Sequence, residues 1–318
     1  MPLVLYRFFD WPRDLVLPSQ TLFAAAAAPS WSFSRLLHAL LWLWVHTLQF
    51  GLANQTVPQA IAEDVINNPY RPIPTGRISV RTACILRWMT IPLCLLLSAA
   101  NGPRTIFASF LGSLYILAYN EGGGARSHWL VRSVLNAVGY TLAKAGATLS
   151  ACTCVGDWFG SFWGSNRAPT GQSEKDVDSI VCIAIALSAG IILTTIHTQD
   201  FKDVVGDAAV GRVTLPIAYP VLSRVATAFF LVAWSWGVSR TWWLDNVTAA
   251  AMGVSGMAVG ISFVARRDAH ADKVSFYMYS VSHHPVQRPN VSQAIIVRCG
   301  WLPYTCFLDT IGCAWCHD

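Results

Sequence analysis

What most constrains this chain is its succession of apolar stretches, each close to the length that crosses a lipid bilayer. A spanning helix needs about 20 mostly apolar residues. Eight such segments can be marked: Leu15–Phe33, Leu36–Asn54, Val80–Ala100, Thr105–Tyr119, Trp129–Cys152, Ile180–Ile196, Ile217–Val238 and Val247–Ala265. Turn-forming residues punctuate them, as in Asn101-Gly102-Pro103 and Pro69-Tyr-Arg-Pro72. Only 12% of the 318 residues are charged, against about 25% in an average soluble domain. So little charge argues against a soluble globular fold, a disordered chain or a disulfide-rich secreted module. The expected fold is all-α, a polytopic transmembrane helical bundle. The net charge of +5 is small and scattered, which gives no nucleic-acid footprint.

The distribution of Lys and Arg orients the chain. With the N-terminus in the cytosol, Arg71, Arg77, Arg81, Arg126, Arg132, Lys202, Arg212, Arg266, Arg267 and Lys273 fall on the cytosolic side. Arg35, Arg104, Arg167, Lys175 and Arg240 fall on the other. The excess favours a cytosolic N-terminus. Both long polar stretches, Gln55–Ser79 and His197–Leu215, then lie on the cytosolic face. The expected location is multi-pass and integral to a membrane, that of the endoplasmic reticulum.

Those stretches hold most of the chemistry. The first begins as the second apolar segment ends and offers Asn54, Glu63, Asp64, Asn67 and Arg71. The second begins as the sixth segment ends and offers Asp200, Lys202, Asp203 and Asp207. On a helix the three- and four-residue spacing of Asp200, Asp203 and Asp207 puts all three carboxylates on one face. Like charges there repel, and a cation is the natural compensator. Oxygen-only ligands suit Mg²⁺, which keeps waters and bridges to substrate phosphates. Two such clusters on one side of a membrane can grip one diphosphate, whose neutralisation by metal helps it leave. The plainer alternative is that each cluster is a solvated loop.

At these residues the chain resembles the UbiA superfamily of intramembrane prenyltransferases. The segment D-F-K-D-V-V-G-D-A-A-V-G-R-V-T-L-P from Asp200 is similar to that family's second aspartate-rich motif. The Arg71-Pro-Ile-Pro-Thr-Gly76-Arg77-Ile-Ser79 segment is similar to the stretch that follows its first. The resemblance implies a ring of nine transmembrane helices in two four-helix halves, with a cytosolic cap over a lipid-open central cavity. It further implies Mg²⁺ held through both motifs and an isoprenyl diphosphate substrate. One departure stands out. The family's three first-motif aspartates fall here on Gln55, Pro58 and Ala62, and carboxylates appear only afterwards, at Glu63 and Asp64. This form resembles a fungal branch that includes membrane-bound sesquiterpene cyclases, as do Tyr119-Asn120-Glu121-Gly122-Gly123 and the segment Arg132–Tyr140. The branch implies farnesyl diphosphate as substrate.

Asp200, Asp203 and Asp207 are the leading candidate Mg²⁺ ligands, followed by Glu63 and Asp64, with Asn54 and Asn67 as neutral oxygen donors. Arg71, Lys202 and Arg132 are candidates for the diphosphate, Arg71 as a bidentate fork; each could instead be a topology charge. Asn120 and Glu121 complete the pocket or simply end a helix before Gly122-Gly-Gly124. Lys144 lies midway along the fifth segment, a costly depth for an ionisable group, where it either borders the site or pairs structurally. With Tyr140 and Asn136 it makes up the candidate catalytic set. Arg87 reads as a snorkelling residue. Trp42, Trp44 and Tyr140 are aromatic faces able to stabilise a carbocation, although most of the 14 tryptophans suit an interfacial belt. His38 and His46, inside an apolar segment, suit packing better than metal binding.

The domain reading is a membrane domain over residues 1–279 and an atypical tail over 280–318. After Phe276–Tyr279, which begins like a last helix, the tail is broken by Pro285, Pro289, Arg298, Gly300 and Pro303 and carries Cys313-Ala-Trp-Cys316-His317. The functional expectation is a terpene cyclase that ionises farnesyl diphosphate with Mg²⁺. The alternatives are a prenyltransferase that passes the isoprenyl group to an aromatic acceptor, and a transporter. Against the transporter, the carboxylates lie at helix ends rather than at mid-membrane. Oligomeric state leaves no trace in the sequence.

Overall fold

The structure, a computed structural model, describes residues 33–152 and 174–282. The first apolar segment, most of the Gly156–Asp178 loop and the tail beyond Ser282 lie outside the described residues. What is described is helical, with no strand. The elements are α1 (Phe33–Gln55), α2 (Pro58–Asn67), α3 (Val80–Ala99), α4 (Pro103–Asn120), α5 (Trp129–Cys152), α6 (Glu174–Thr195), a 3₁₀ helix (Ile196–Asp203), α7 (Val204–Ala209), α8 (Leu215–Ala218), α9 (Pro220–Thr241), α10 (Asn246–Ala265) and α11 (Ala269–Ser282). A single 3₁₀ turn, Gly124–Arg126, separates α4 from α5.

Local chemistry explains the ends. Ser79 caps α3 by accepting from the Thr82 amide at 3.1 Å. Asp245 caps α10 through the amides of Val247 and Thr248. Pro58 and Pro103 occupy first-turn positions of α2 and α4, where the missing N–H costs nothing. Gly102, at φ +99°, sits in a region that side chains disfavour and turns the chain into α4.

Packing is inverted relative to a soluble protein. Leu96, Phe229, Trp236 and Val254 are each about two-thirds exposed, while serines, threonines and two histidines, His46 and His197, are buried. Helices in lipid gain little from burying more apolar surface, so they associate through close packing and interhelical hydrogen bonds. The ladder between α1, α3 and α4 is of this kind. Trp42 Nε1 donates to Ser98 Oγ at 2.8 Å, His46 Nε2 meets Ser109 Oγ at 2.6 Å, and Gln49 Nε2 donates to Ser113 Oγ at 3.0 Å. Five of the described helical stretches are long and apolar enough to cross a membrane: Leu36–Gln55, Val80–Ala99, Val181–Ala209, Pro220–Thr241 and Asn246–Ala265. Neither α4 nor α5 is among them. They carry buried polar residues such as Ser109, Ser113, Asn136 and Lys144, and both line the central cavity.

Helices α1, α3, α4 and α5 pack on one another as one group. Helix α9 packs on α6 and α10, and α10 on α11, as a second; α5 against α6 joins the two. The second group is locked by Arg224 of α9. It donates to both carboxylate oxygens of Asp272 on α11 at 2.7 Å and to the carbonyls of Phe263 and Arg266 at the end of α10. Its guanidinium also lies 4.4 Å from the ring of Phe201, the neighbour of Asp200.

Candidate functional site

The two polar stretches, 136 residues apart at Asn67 and Asp203, meet at one end of the bundle. Asn67 carries the joint. Its Nδ2 donates to the Asp203 carbonyl and its Oδ1 accepts from the Gly206 amide, both at 3.1 Å. Gly206 permits this close approach, because a Cβ there would lie 2.3 Å from Asn67 Nδ2 and push that amide aside. Arg212 adds a charged bridge. One guanidinium nitrogen meets Glu63 Oε2 at 2.6 Å and another meets Asp207 Oδ1 at 2.7 Å.

Below this joint opens a cavity of about 210 Å³. Its rim is charged: Asn54 from α1, Glu63 and Asp64 from α2, Arg71 from the following turn, Arg132 from α5, and Asp200, Lys202 and Asp203 from the 3₁₀ helix. Its interior is apolar and aromatic, with Trp42, Phe50, Tyr115, Tyr119, Tyr140 and Phe276. Glu63 and Asp64 reach it because Ala60, Glu63 and Asp64 share one face of α2. The positions of the absent aspartates do not reach it: Gln55 is buried off the cavity, while Pro58 and Ala62 are exposed away from it. The displaced carboxylates, Glu63 and Asp64, thus stand at the cavity wall.

Every carboxylate at this joint has a cation. Asp64 accepts from Arg71 and from Asn68 Nδ2, the latter at 3.2 Å. Asp200 receives the Arg132 fork at 2.8 and 2.9 Å. Lys202 donates to Asp203 at 2.5 Å. Five carboxylates (Glu63, Asp64, Asp200, Asp203, Asp207) therefore face four cations (Arg71, Arg132, Lys202, Arg212). Such a site is poised to exchange partners. Asp207 Oδ2 and the Nε atoms of Arg132 and Arg212 are buried without a hydrogen-bond partner among the described residues.

Several expected site residues stand elsewhere. The acidic triad does not share one face, because its first part is a 3₁₀ helix. Positions three apart eclipse there, so Asp200 and Asp203 both reach the cavity, while Asp207 on α7 is fully buried against Arg212 and lines no wall. Asn67 is the joint rather than part of the wall. Lys144 turns away from the cavity and donates to Ser188 Oγ on α6 at 2.5 Å. Each four-residue step advances about 40° around a helix. Arg132, Asn136 and Tyr140 stay on the cavity face, and the next step carries Lys144 off it. Asn120 donates back to the Ile116 carbonyl at 2.8 Å, and Glu121 pairs with Arg87, so neither lines the cavity. Arg87 does not snorkel: it is buried between Glu121 and Thr56. Trp44 faces outward, 37% exposed.

Arg212 was read only as a cytosolic charge and Phe276 only as the start of a last helix, and Gln199, Tyr115 and Phe50 were given no part in the site, yet all five line the cavity. For Arg212 the signal was a cation five residues after Asp207 in the same motif. For the aromatics no local signal distinguishes a wall position from a lipid-facing one.

The donor set fits Mg²⁺ in one specific sense. The rim offers oxygen ligands, as a hard cation requires, but no group of three His, Cys, Asp or Glu side chains converges among the described residues. A cation held here would share its coordination with a ligand, and Mg²⁺ commonly uses one or two carboxylates plus substrate phosphates.

Comparison with known proteins gives a consistent result. Residues 15–281 match the profile of the UbiA prenyltransferase family. A fumagillin β-trans-bergamotene synthase of Aspergillus fumigatus is 31% identical over 279 residues, 87% of each chain. A polyprenyl transferase of Hericium erinaceus is 30% identical over 211 residues, 65% of this chain and 59% of that protein. Among solved structures, a UbiA homologue from Archaeoglobus fulgidus bound to GPP and Mg²⁺ superposes with a TM-score of 0.52 at 15% identity, covering 92% of this chain and 94% of that one.

Proposed function

The chain belongs to the UbiA prenyltransferase family, integral membrane enzymes acting on isoprenyl diphosphates, and on that premise we propose that it is a sesquiterpene cyclase that ionises farnesyl diphosphate and folds the carbocation on itself. The observation that carries the reading is the division of one cavity into a charged rim and an aromatic interior. A diphosphate belongs at the first and a hydrocarbon cation, shielded from water, in the second. The long match to a bergamotene synthase supports cyclisation over transfer.

Arg71, Arg132 and Lys202 would hold the diphosphate oxygens, Arg132 through the planar fork it now gives Asp200. Asn54, Glu63, Asp64, Asp200 and Asp203 would carry Mg²⁺, with Arg212 beside them at the rim and Asp207 behind it. When bound, the metal neutralises the leaving diphosphate. The carboxylates freed by the arginines become its ligands, so the exchange leaves the local charge nearly balanced. Tyr140, Tyr115 and Trp42 present aromatic faces to the cation, and Asn136 places a polar group among them. Both acidic segments would face the cytosol of an endoplasmic reticulum membrane.

The test is membranes containing the protein, supplied with farnesyl diphosphate and Mg²⁺ but no acceptor. A cyclic hydrocarbon with matching pyrophosphate release is the expected result. Pyrophosphate release only when an aromatic acceptor is added would make the protein a prenyltransferase. No release under either condition would refute both.

A further inference from the structure

The four rim cations are all occupied. Arg71, Arg132, Lys202 and Arg212 each hold a carboxylate, so an anion arriving at the cavity reaches them only by breaking an ion pair. A fifth cation stands beside them. Lys273 lies on α11 three residues before Phe276, and residues three apart share a helix face. Phe276 is the one residue that α11 gives to the cavity lining, and α6, α9 and α10 give none. Lys273 itself lines no wall. It is half-buried, with its ammonium 5.4 Å from the ring centre of Tyr70. It has no carboxylate partner among the described residues. Tyr70 belongs to the rim. Its hydroxyl donates to Asn68 Oδ1 at 3.0 Å, and Asn68 Nδ2 donates to Asp64 Oδ1 at 3.2 Å. Asn68, Asp64 and the next residue, Arg71, line the cavity. Lys273 therefore rests at the outer edge of the rim, on the α11 side. A cation over an exposed ring is weakly held, whereas the Arg132 fork on Asp200 is buried. Of the five cations, Lys273 is the one that can turn to an incoming anion without leaving a carboxylate unpaired.

We propose that Lys273 is the capture residue for the substrate: it takes the diphosphate first and passes it to Arg71 and Arg132. The inference rests on the functional reading above, in which the substrate brings a diphosphate to this rim. A lysine suits the task, since its ammonium is a point charge on a flexible four-carbon stem. The stem swings off Tyr70 to meet the anion. The ion pairs of Arg71 and Arg132 then exchange with the diphosphate already in place. A charge that acts on arrival and is replaced by others assists capture and not bond cleavage. Its loss falls on kcat/KM and leaves kcat alone.

The experiment measures kcat, KM and the salt dependence of kcat/KM for farnesyl diphosphate, with Mg²⁺ present, in wild type, K273M, K273R and K273E. Thermal unfolding of each variant establishes that it is folded. Met keeps an apolar stem against the Tyr70 ring, so K273M reports the charge. It should raise KM about fivefold, the effect in water of one unit charge roughly 4 Å from another, with kcat unchanged. K273E should raise KM further, and K273R should stay near wild type. The fall of kcat/KM with added salt should be shallower in K273M than in wild type. Folded K273M and K273E with the wild-type KM would overturn the capture role while leaving the functional reading intact. So would a loss of kcat at unchanged KM, which would make Lys273 a brace for Tyr70. Wild type releasing no pyrophosphate, with or without an acceptor, would overturn the functional reading and the capture role with it.

Discussion

Replacing Arg212 by Met removes the cation shared by Glu63 and Asp207. The Asp207 side chain is 1% exposed and that of Glu63 12%, and Arg212 reaches them at 2.7 and 2.6 Å. Breaking a buried ion pair by deleting one partner costs about 3–5 kcal/mol, because a charge is left uncompensated in a poorly solvated place. Most of that falls on Asp207, since Glu63 keeps some contact with the cavity. With about 2–4 °C per kcal/mol for a chain of this order, the unfolding midpoint should drop by roughly 6–20 °C. The assay is thermal unfolding of the detergent-solubilised protein. Adding D207N to R212M removes the orphaned charge and should restore a coupling of roughly 1–3 kcal/mol. An R212M midpoint unchanged from wild type, or D207N and R212M effects that simply add, would refute the reasoning that this bridge holds the two acidic segments together.

Other consequences can be checked in parallel. G206A places a methyl 2.3 Å from Asn67 Nδ2 and should cost about 1–3 kcal/mol by overpacking. Adding N67A to the same chain should recover part of it in the same melt, and no recovery would mean that the joint is held elsewhere. R132K replaces a two-pronged fork by a point charge and should lower pyrophosphate release on the order of 10²-fold, read in a coupled phosphate assay; wild-type rates would remove Arg132 from the site. K144M exchanges a buried ammonium bonded to Ser188 for an apolar chain of similar shape. It should unfold no earlier than wild type and keep near-normal turnover, whereas a collapse of kcat would put Lys144 back in the catalytic machinery.

The limits of local reading are visible at particular residues. Helix α5 was marked at Trp129–Cys152 from its apolar run, and those are the bounds it has. The rim residues Asn54, Glu63, Asp64, Arg71, Asp200 and Asp203 stood out because few other charges compete for attention in such a chain. Asp207 and Lys144 stand off the cavity for a geometric reason: sequence spacing assumes one helix type and no neighbours. A switch from 3₁₀ to α at Val204 decides what Asp207 faces, and Ser188, 44 residues away, decides what Lys144 touches. Arg87 was read as seeking water because its partner Glu121 lies just past the end of α4, 34 residues on.

By itself, the sequence determined that this chain lives in lipid and that its polar chemistry is concentrated in two short stretches. Hydrophobicity and charge are properties each residue carries wherever it goes. Only the tertiary structure decided that Asn67 and Arg212 weld those stretches into one rim and that Trp42 packs against Gly146. It also decided which aromatic rings face inward. Within a bilayer apolar and aromatic residues occur on both faces of a helix, so hydropathy alone does not report which rings meet lipid and which meet the cavity. That information exists only in the packing of one helix against the next.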